Sequence, residues 1–544
     1  MRTERTLRGA CVGLALMLAP HFAGAQEGVA DCVPVTIGAV EVIREALFPE
    51  RRGAVGWAYR TGNSLHVDTR PSVVRNELLF AAGDALDPES LTQTERNLRA
   101  RRFISAARVD VVFADGSVVH ADQLGRQPCA ALGAEQVDVL VTTRDSWSTQ
   151  LEGKLSKTGN RLLWEVGVDE SNLLGLGKSV GFGFTREIDR DSFRIGFHDP
   201  QVAGSPHELR GEYRDQSDGS SFRLTGGRFV KSLEDVWSYD ARVERFDQTQ
   251  PLYASGEQVG GLRHTRRHYA AQGGRSVYRG RASTLRVYFG YRREFDDVEV
   301  ERRDFDVLQV GTTFVHHRYR QVRWIDHERP VDVNLGADSG IWFGYAVRNE
   351  STRQGSTFFV AASHSQGLPL GDSRLFLANA SWASRVRGSR AENGTLRARV
   401  LFADHAAPRQ VLLIRGQIVW GVNLDPEVQV TLGVESGLRG YRVNEFVGDR
   451  SLLLSAEHRW FFAEDVLGLA SLGLAGFVDS GYAWPRGTPA SIKDLRSNAG
   501  IGLLIGRKQA STANAGMRID MAYALDPIPG QGRWVLSFGT THGF

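Results

Sequence analysis

The stretch MRIDMAYAL, residues Met517–Leu525, decides the fold. Its apolar side chains stand at every second position, and Arg518 and Asp520 occupy two of the positions between them. A period of two indicates a β-strand with one apolar face and one polar face. The same alternation appears in Leu162–Asp169 and in the C-terminal segment Trp534–Phe544.

This alternation continues through most of the chain, from Trp147 to Phe544, in segments separated by Gly, Asp, Asn, Ser and Pro. Such a pattern is typical of a transmembrane β-barrel, which has lipid outside, water inside and no open edge. At about 25 residues per strand and loop, this region predicts about 16 antiparallel strands. The alternative is a large soluble array of β-sandwiches.

The composition argues against other classes of protein. The chain has 544 residues, of which 24% are charged and 60 are glycine. After the N-terminal segment, no apolar run reaches the length of about 18 residues that a spanning helix needs. The longest such run, Val466–Val478, is interrupted by Gly and Ser. A net charge of +3 is too small to indicate a nucleic-acid partner.

Residues 1–25 have the three parts of a secretory signal. Arginines mark the start, Cys11–Ala19 is the apolar core, and Ala23-Gly24-Ala25 is the small-residue cleavage site. The alternative is an amphipathic anchor. Export places the mature chain in an oxidising compartment.

The pattern of residues 26–145 predicts one small α+β module, and residues 146–544 are expected to form the barrel. Thr69 is a candidate N-cap for the first helix of the module, and Asp87 for the second. The predicted order is strand, helix, helix, strand, strand: Val40–Leu47, Pro71–Phe80, Pro88–Phe103, Ala107–Phe113 and Gln136–Thr142.

Two cysteines, Cys32 and Cys129, flank this module. A disulfide between them would close the module and add about 4 kcal/mol by restricting the unfolded chain. The alternative is two unpaired thiols.

A candidate functional loop is Gly437-Leu438-Arg439-Gly440-Tyr441. Glycine permits unusual backbone angles, and the guanidinium offers a rigid fork of donors that requires a carboxylate. The best partner for Arg439 is Asp479, followed by Asp520 and Glu457. Strand alternation turns all three carboxylates inward, together with Phe477. The alternative is a solvated surface turn with an unrelated aspartate.

No catalytic or metal site is expected. His264 and His268 have the spacing of a metal pair on a helix, but on a strand they lie about 13 Å apart. The sequence contains no serine elbow, Cys-x-x-Cys pair or His-Glu metal motif. We therefore expect a protein that is not an enzyme and needs no cofactor.

The two-part plan resembles the BamA/TamA superfamily of outer-membrane assembly and translocation proteins, in which polypeptide-transport-associated (POTRA) domains precede a barrel of 16 strands. Residues 69–99 are similar to the POTRA helices, and Phe544 to the terminal aromatic of outer-membrane proteins. Three further motifs carry the resemblance: Asn172–Gly177 for the first barrel turn, Leu438–Tyr441 for the arginine-glycine-aromatic loop, and Phe477–Gly481 for the lumen strand with its aspartate.

The resemblance implies the outer membrane of a Gram-negative bacterium, with the module in the periplasm. It implies insertion or translocation of unfolded polypeptide clients, and contact with lipid, lipopolysaccharide and accessory periplasmic proteins or lipoproteins. It also implies that Arg439 pairs with Asp479 inside the barrel and that Phe544 is a C-terminal insertion signal. The chain departs from the family in having room for only one POTRA domain. The alternatives are a two-partner secretion pore for a dedicated passenger and a passive channel.

Overall fold

We analysed a computed structural model of the chain. It describes residues 35–47, 57, 60–61, 63–64, 66–124, 135–158, 161–186, 189–280, 282–322, 331–466, 470–507 and 517–540. The secretory signal, Cys32, Cys129 and Phe544 lie outside the described residues.

The N-terminal module is a four-stranded sheet with helices packed on one face. The strand order is β1-β4-β2-β3, and β1 pairs in parallel with β4. A buried apolar core, which includes Val74, Leu91, Leu98, Val109 and Val141, joins the helices to the sheet. The elements are β1 Thr36–Glu45, α1 Pro71–Arg75, α2 Pro88–Arg99, β2 Ile104–Val112, β3 Val118–His120 and β4 Gln136–Asp145.

Both module helices are shorter than the sequence predicts. The first ends at Arg75, and the second ends at Arg99. Asp87 caps the second helix by accepting hydrogen bonds from the backbone of Glu89 and Ser90. The predicted Thr69 cap is wrong, because Arg70 is the N-cap residue and the Thr69 hydroxyl instead accepts a hydrogen bond from a barrel turn. The prediction also missed the short strand β3.

The rest of the described chain forms a closed antiparallel barrel of 20 strands. Two small antiparallel pairs, β15 with β16 and β22 with β23, lie outside this ring of strands. The strands are β5 Thr149–Thr158, β6 Arg161–Glu170, β7 Ser179–Arg186, β8 Asp191–Asp199, β9 Glu208–Gln216, β10 Gly219–Arg228, β11 Trp237–Ala254, β12 Glu257–Arg279, β13 Ser283–Val298, β14 Glu301–His316, β15 Tyr319–Val322, β16 Val331–Asn334, β17 Ala337–Asn349, β18 Thr357–Pro369, β19 Arg374–Arg387, β20 Arg390–Asp404, β21 Gln410–Val422, β22 Val430–Leu432, β23 Phe446–Gly448, β24 Arg450–Val466, β25 Ala470–Trp484, β26 Arg496–Arg507, β27 Met517–Ala524 and β28 Trp534–Thr540.

The predicted all-β barrel with a small α+β module is confirmed, but the predicted number of about 16 strands is wrong. Several connections are tight turns, such as Ser217-Asp218 between β9 and β10 and Ser255-Gly256 between β11 and β12. The barrel therefore uses about 20 residues per strand and connection, not about 25, and fits more strands into the same length.

The two faces of the barrel wall differ in polarity, as the alternation predicts. Leu474 and Val478 on β25 are exposed on the outside, whereas Phe477 and Asp479 are buried on the lumen side. The pattern repeats on β24, where Glu457 is buried between exposed neighbours. Among the described residues, no helix has the length and apolar character required to cross a membrane.

The module packs against one mouth of the barrel, which we call the module end. Asn172, in the turn between β6 and β7, donates from Nδ2 to the Thr69 hydroxyl at 2.9 Å. Asn97 on α2 donates to the Lys231 carbonyl at 3.1 Å. Arg99 pairs with Asp332 on β16 at 2.8 Å. The contacts are polar and come from several barrel connections.

Candidate functional site in the barrel lumen

The connection between β21 and β24 folds back into the lumen. It carries the short pair β22 and β23, and it places the Leu438 and Tyr441 side chains at 0% exposure. These two residues join a small apolar cluster with Leu432 and Phe446 of the same loop and Ala483 of the wall. The loop is therefore anchored inside the barrel and is not a solvated surface turn.

Two glycines allow the tip of this loop to fold. Gly437 has a φ of +106°, a left-handed conformation that favours glycine. Gly440 donates its backbone N–H to Oδ1 of Asn498 at 3.0 Å. A Cβ at Gly440 would lie 2.4 Å from Cβ of Asn498, which is closer than carbon atoms can approach. Only glycine therefore fits at position 440 without a shift of the loop or of β26.

Arg439 makes a two-point contact with Asp479. Its Nε donates to Oδ2 at 2.8 Å, and its Nη2 donates to Oδ1 at 2.6 Å. The carboxylate is held by two further donors, the Ser455 hydroxyl at 2.7 Å and the Asn498 amide at 2.9 Å. Such a forked geometry fixes orientation as well as charge.

Glu457 is shared by three arginines. Nη1 of Arg439 and Nε of Arg459 each donate to it at 2.6 Å, and Nη1 of Arg518 donates at 2.8 Å. Asp520 is more distant from Arg439, at 3.9 Å, and is instead bound by Nε of Arg518 at 2.5 Å. The lumen thus holds a network of three arginines and three carboxylates.

Phe477 provides an aromatic surface for this network. The guanidinium carbon of Arg439 lies 3.5 Å from the ring centroid, and that of Arg518 lies 5.7 Å from it. A guanidinium over an aromatic face is stabilised by about 0.5–2 kcal/mol, with the larger value where water is excluded. Phe477 therefore positions the same guanidinium that Asp479 and Glu457 bind.

The ionisation of the loop residues fits this structural role. Burial lowers the pKa of the Arg439 guanidinium, but the hydrogen bond and charge of Asp479 outweigh burial and raise it above its usual value. Burial raises the pKa of Tyr441 to about 12. The Tyr441 hydroxyl is therefore a neutral donor at physiological pH, and it lies 2.9 Å from the Ser497 carbonyl oxygen.

Ion pairs also hold the first part of the loop. Arg303 on β14 contacts Glu427, and its Nη1 lies 3.4 Å from Asp425. Arg385 on β19 pairs with the same Asp425 at 2.5 Å. The loop is therefore bound to β14 and β19 as well as to β24 and β25.

These contacts hold the loop in place. Removing one partner of a buried ion pair costs about 3–5 kcal/mol, because the remaining charge is left without compensation. A cavity of about 790 Å³ adjoins the network and is lined in part by Arg399, Gln417, Arg439 and Arg518. Residues 434–437 of the loop form part of the lining of this cavity.

The histidine pair is arranged differently from the sequence expectation. Nε2 of His264 and Nε2 of His268 both bond to the carboxylate of Asp296 on β13, each at 2.8 Å. Arg266, between them on the same face of β12, donates to the same carboxylate at 2.7 Å. The spacing of the two histidines along β12 does not reveal this arrangement, because the carboxylate that joins them lies on the next strand, β13.

One group of described residues brings three potential metal ligands together. Ligand atoms of His66, Asp68 and Asp145 lie within 4.8 Å of one another. Nε2 of His66 bonds to Asp145 at 3.0 Å, and Arg44 lies 3.6 Å from Asp68. The group therefore satisfies its charges and hydrogen bonds with protein partners.

Sequence reasoning identified the loop, Asp479, Asp520, Glu457 and Phe477 as inward-facing, and the structure brings all of them to one network. It missed Ser455, Asn498 and Arg459 as members. Alternation relative to Glu457 could have found Ser455 and Arg459, since they stand two residues away on the same face. No local signal identifies Asn498, because its contact depends on the register between β25 and β26.

No family profile matches the chain. No curated protein matches it by sequence.

Several solved structures are similar at low identity. BamA from Haemophilus ducreyi lacking POTRA domains 1–3 is 13% identical, with 93% of this chain and 85% of that chain covered and a TM-score of 0.37. CdiB from Acinetobacter baumannii is 11% identical, with 98% and 96% covered and a TM-score of 0.41. OccK2 from Pseudomonas aeruginosa, solved with glucuronate, is 12% identical, with 80% and 97% covered and a TM-score of 0.34.

Proposed function

We propose that this chain is a barrel of the Gram-negative outer membrane that inserts or translocates polypeptides, with its module in the periplasm. The proposed partners are unfolded or partly folded polypeptides, outer-membrane lipid with lipopolysaccharide, and accessory periplasmic proteins or lipoproteins. The mechanism involves no cofactor and no bond chemistry, so the protein is not an enzyme.

The outer face of the barrel supports the membrane location. Large apolar side chains are exposed there, including Phe289 at 68%, Leu308 at 55% and Val478 at 50%. Each lies on a strand whose opposite face is turned to the lumen. In water this surface would be costly, whereas in lipid it is the favoured exterior of a closed barrel.

The seam between the first and last barrel strands is the observation that carries the proposal. In the part of the chain that the structure describes, β28 pairs with β5 through one residue pair, Ser537 with Ser156. By contrast, β28 pairs with β27 along the whole of Met517–Tyr523, and β5 pairs with β6 along Thr149–Thr158. The wall is therefore weakest at this seam.

A weak seam suits the handling of polypeptides. Opening it would expose strand edges whose backbone N–H and C=O groups bind an incoming extended chain by β-strand addition. A passive channel gains nothing from a weak seam, because its wall only has to stay closed. The lumen loop, bound by Asp479 and Glu457 on β25 and β24, stabilises the wall three to four strands from the seam while the seam opens.

The module supplies a second strand edge for binding an extended polypeptide. Strand β1 stands at the edge of its sheet and pairs with β4. The backbone of residues 83–86 bonds to the start of β1 as far as Ile37, so in the described chain the edge is open beyond that residue. Edge strands accept extended peptides through their free backbone groups. The module also lies at the barrel mouth, so that a chain bound at β1 is close to the lumen.

Comparison of the outer-membrane proteome before and after deletion of the gene tests this function. Loss of several barrel proteins from the membrane supports insertion of clients, and loss of one exported protein supports a dedicated secretion pore. If every protein stays at its normal level while uptake of small solutes falls, the protein is a passive channel and the proposal is wrong.

A further inference from the structure

The lumen contains an apolar region at the module end. Its side chains come from β19, β20, β21, β24 and β26, with Ala475 of β25 between the last two, and face inward. Leu413, for example, is 0% exposed and stands between Leu412 and Ile414, which are exposed on the outside. Barrel interiors of this size are ordinarily polar. We call this region the apolar belt, and it consists of Leu375, Leu401, Leu413, Phe461 and Leu504.

A segment of this chain covers the apolar belt. Strands β15 and β16 form a short antiparallel pair between β14 and β17, and we call this pair the inner hairpin. Val322 on the hairpin is 1% exposed, and Leu335, directly after it, is 3% exposed. Both pack in one cluster with the belt, and Val333 contacts the same cluster. The hairpin thus shows what kind of segment fits the belt. Such a segment is an extended ribbon with apolar side chains on one face.

The hairpin is held from two sides. On the barrel side, Nη1 of Arg320 donates to the Gly371 carbonyl at 2.8 Å. On the module side, Asp332 pairs with Arg99 of α2, and the Tyr319 ring lies 4.5 Å from the guanidinium carbon of Arg96. A movement of the module would therefore remove the contacts on one side of the hairpin.

The hairpin itself has little independent stability. Each of its strands has four residues. An isolated two-stranded pair is marginal at best in water, so this one depends on the belt and on α2. The belt, in contrast, is formed by the barrel wall and persists without the hairpin.

We propose that the apolar belt is a docking site for an extended apolar segment of a polypeptide, and that the inner hairpin occupies this site in the resting protein. The inference rests on the proposed function, since a handled polypeptide enters the lumen from the module end. Strands of unfolded barrel proteins carry apolar side chains at alternate positions and match the hairpin in form. Release of the hairpin by the module exposes the belt to them.

Photocrosslinking on the purified full-length protein in lipid vesicles tests the proposal. A benzophenone amino acid replaces Leu377, which lies at the margin of the belt and lines the lumen cavity. The control position is Asn379, two residues along the same face of β19 and outside the belt. The probe is a short biotinylated peptide of alternating valine and serine, and a peptide of serine alone is its control.

In the unmodified background, position 377 is expected to crosslink to β15 or β16 of its own chain. The double change Val322→Ser and Leu335→Ser weakens the hairpin without deleting it, and Gln321→Ser, which changes an exposed side chain of β15, is its matched control. If the hairpin occupies the belt nine-tenths of the time, freeing the belt raises the apparent affinity for the valine peptide about tenfold. Heat-modifiable migration on gels checks that each variant retains its barrel.

The proposal is wrong if the valine peptide is captured equally in the unmodified and double-serine proteins, or equally at positions 377 and 379. It is also wrong if vesicle lipid, and not peptide, is captured at position 377. Because the assay uses purified protein, it can succeed or fail independently of the proteome changes that test the proposed function.

Discussion

Nη2 of Arg439 lies 2.6 Å from Oδ1 of Asp479, and Nε of the same guanidinium lies 2.8 Å from Oδ2. The first residue belongs to a loop and the second to the barrel wall, 40 positions later in the chain. This contact therefore fixes where the loop lies in the lumen.

Reversing the charge at Arg439 is expected to release the loop. The change Arg439→Glu removes the guanidinium that binds Asp479 and one of the three that bind Glu457. It also adds a fourth negative charge to the network, so that anchoring weakens by about 3–5 kcal/mol. We expect a barrel that still inserts, shows faster cleavage of the loop by added protease, and supports less growth in a deletion strain. Lys493→Glu, a charge reversal at an exposed side chain of the connection between β25 and β26, is the control and should leave all three measurements unchanged.

Exchanging the two partners tests whether the contact is direct. Arg439→Asp combined with Asp479→Arg should restore part of the protection of the loop, because opposite charges again face each other. Recovery should be incomplete, since the donors Ser455 and Asn498 are placed for a carboxylate. A double variant no better than the worse single variant would mean that the pair does not anchor the loop.

Gly440→Ala is expected to displace the loop without any change of charge. The added methyl group would lie 2.4 Å from Cβ of Asn498, so the loop or β26 must move at a cost of about 1–3 kcal/mol. The temperature at which the folded band converts on a gel should fall. Gly476→Ala, where an added Cβ meets nothing within 4 Å, is the matched control. Equal effects of the two changes would contradict the close packing of Gly440 against Asn498.

Much of this network could be predicted from the sequence, because alternation alone turns Glu457, Asp479 and Asp520 to one side of the wall. Identifying the arginine on another strand that binds these carboxylates requires the register between strands as well. Arg518 lies on β27 and meets Glu457 of β24 only through the register of the strands from β24 to β27. The inner hairpin was missed because its four-residue strands are too short to show a period.

Deleting the terminal residue tests biogenesis. Phe544 lies outside the described residues, but it follows a strand whose outer face exposes Trp534 and Leu536. If the insertion machinery reads the last aromatic, deletion of Phe544 should lower the amount of barrel in the membrane. Phe544→Tyr, which keeps an aromatic ring, should restore it. Unchanged levels of the deletion protein at ordinary expression would argue against a terminal signal.

Removing the module separates folding from function. The module has its own buried core, and its contacts with the barrel are polar connections such as Asn97 to Lys231. A protein that keeps the signal but lacks residues 26–145 should still insert as a heat-modifiable barrel, yet fail to support growth. Full activity of this truncated protein would show that the module is not a platform for clients.

The central claim is that the seam between β5 and β28 opens to handle polypeptides. Ser156 and Ser537 are direct partners across this seam. Opposed antiparallel residues have Cα atoms about 4.5–5.5 Å apart, within the range of a disulfide. Cysteines at both positions, in a chain whose native cysteines are replaced by serine, should therefore lock the seam. The control pair is Ser365 with Asn379, which are partners between β18 and β19, far from the seam.

The most direct measurement is the level of client proteins in the outer membrane of cells that carry the locked seam as their only copy. Our account predicts depletion of clients under oxidising conditions, recovery on addition of a permeable reductant, and normal levels with the control pair. Normal client levels with a fully formed disulfide at the seam would contradict it.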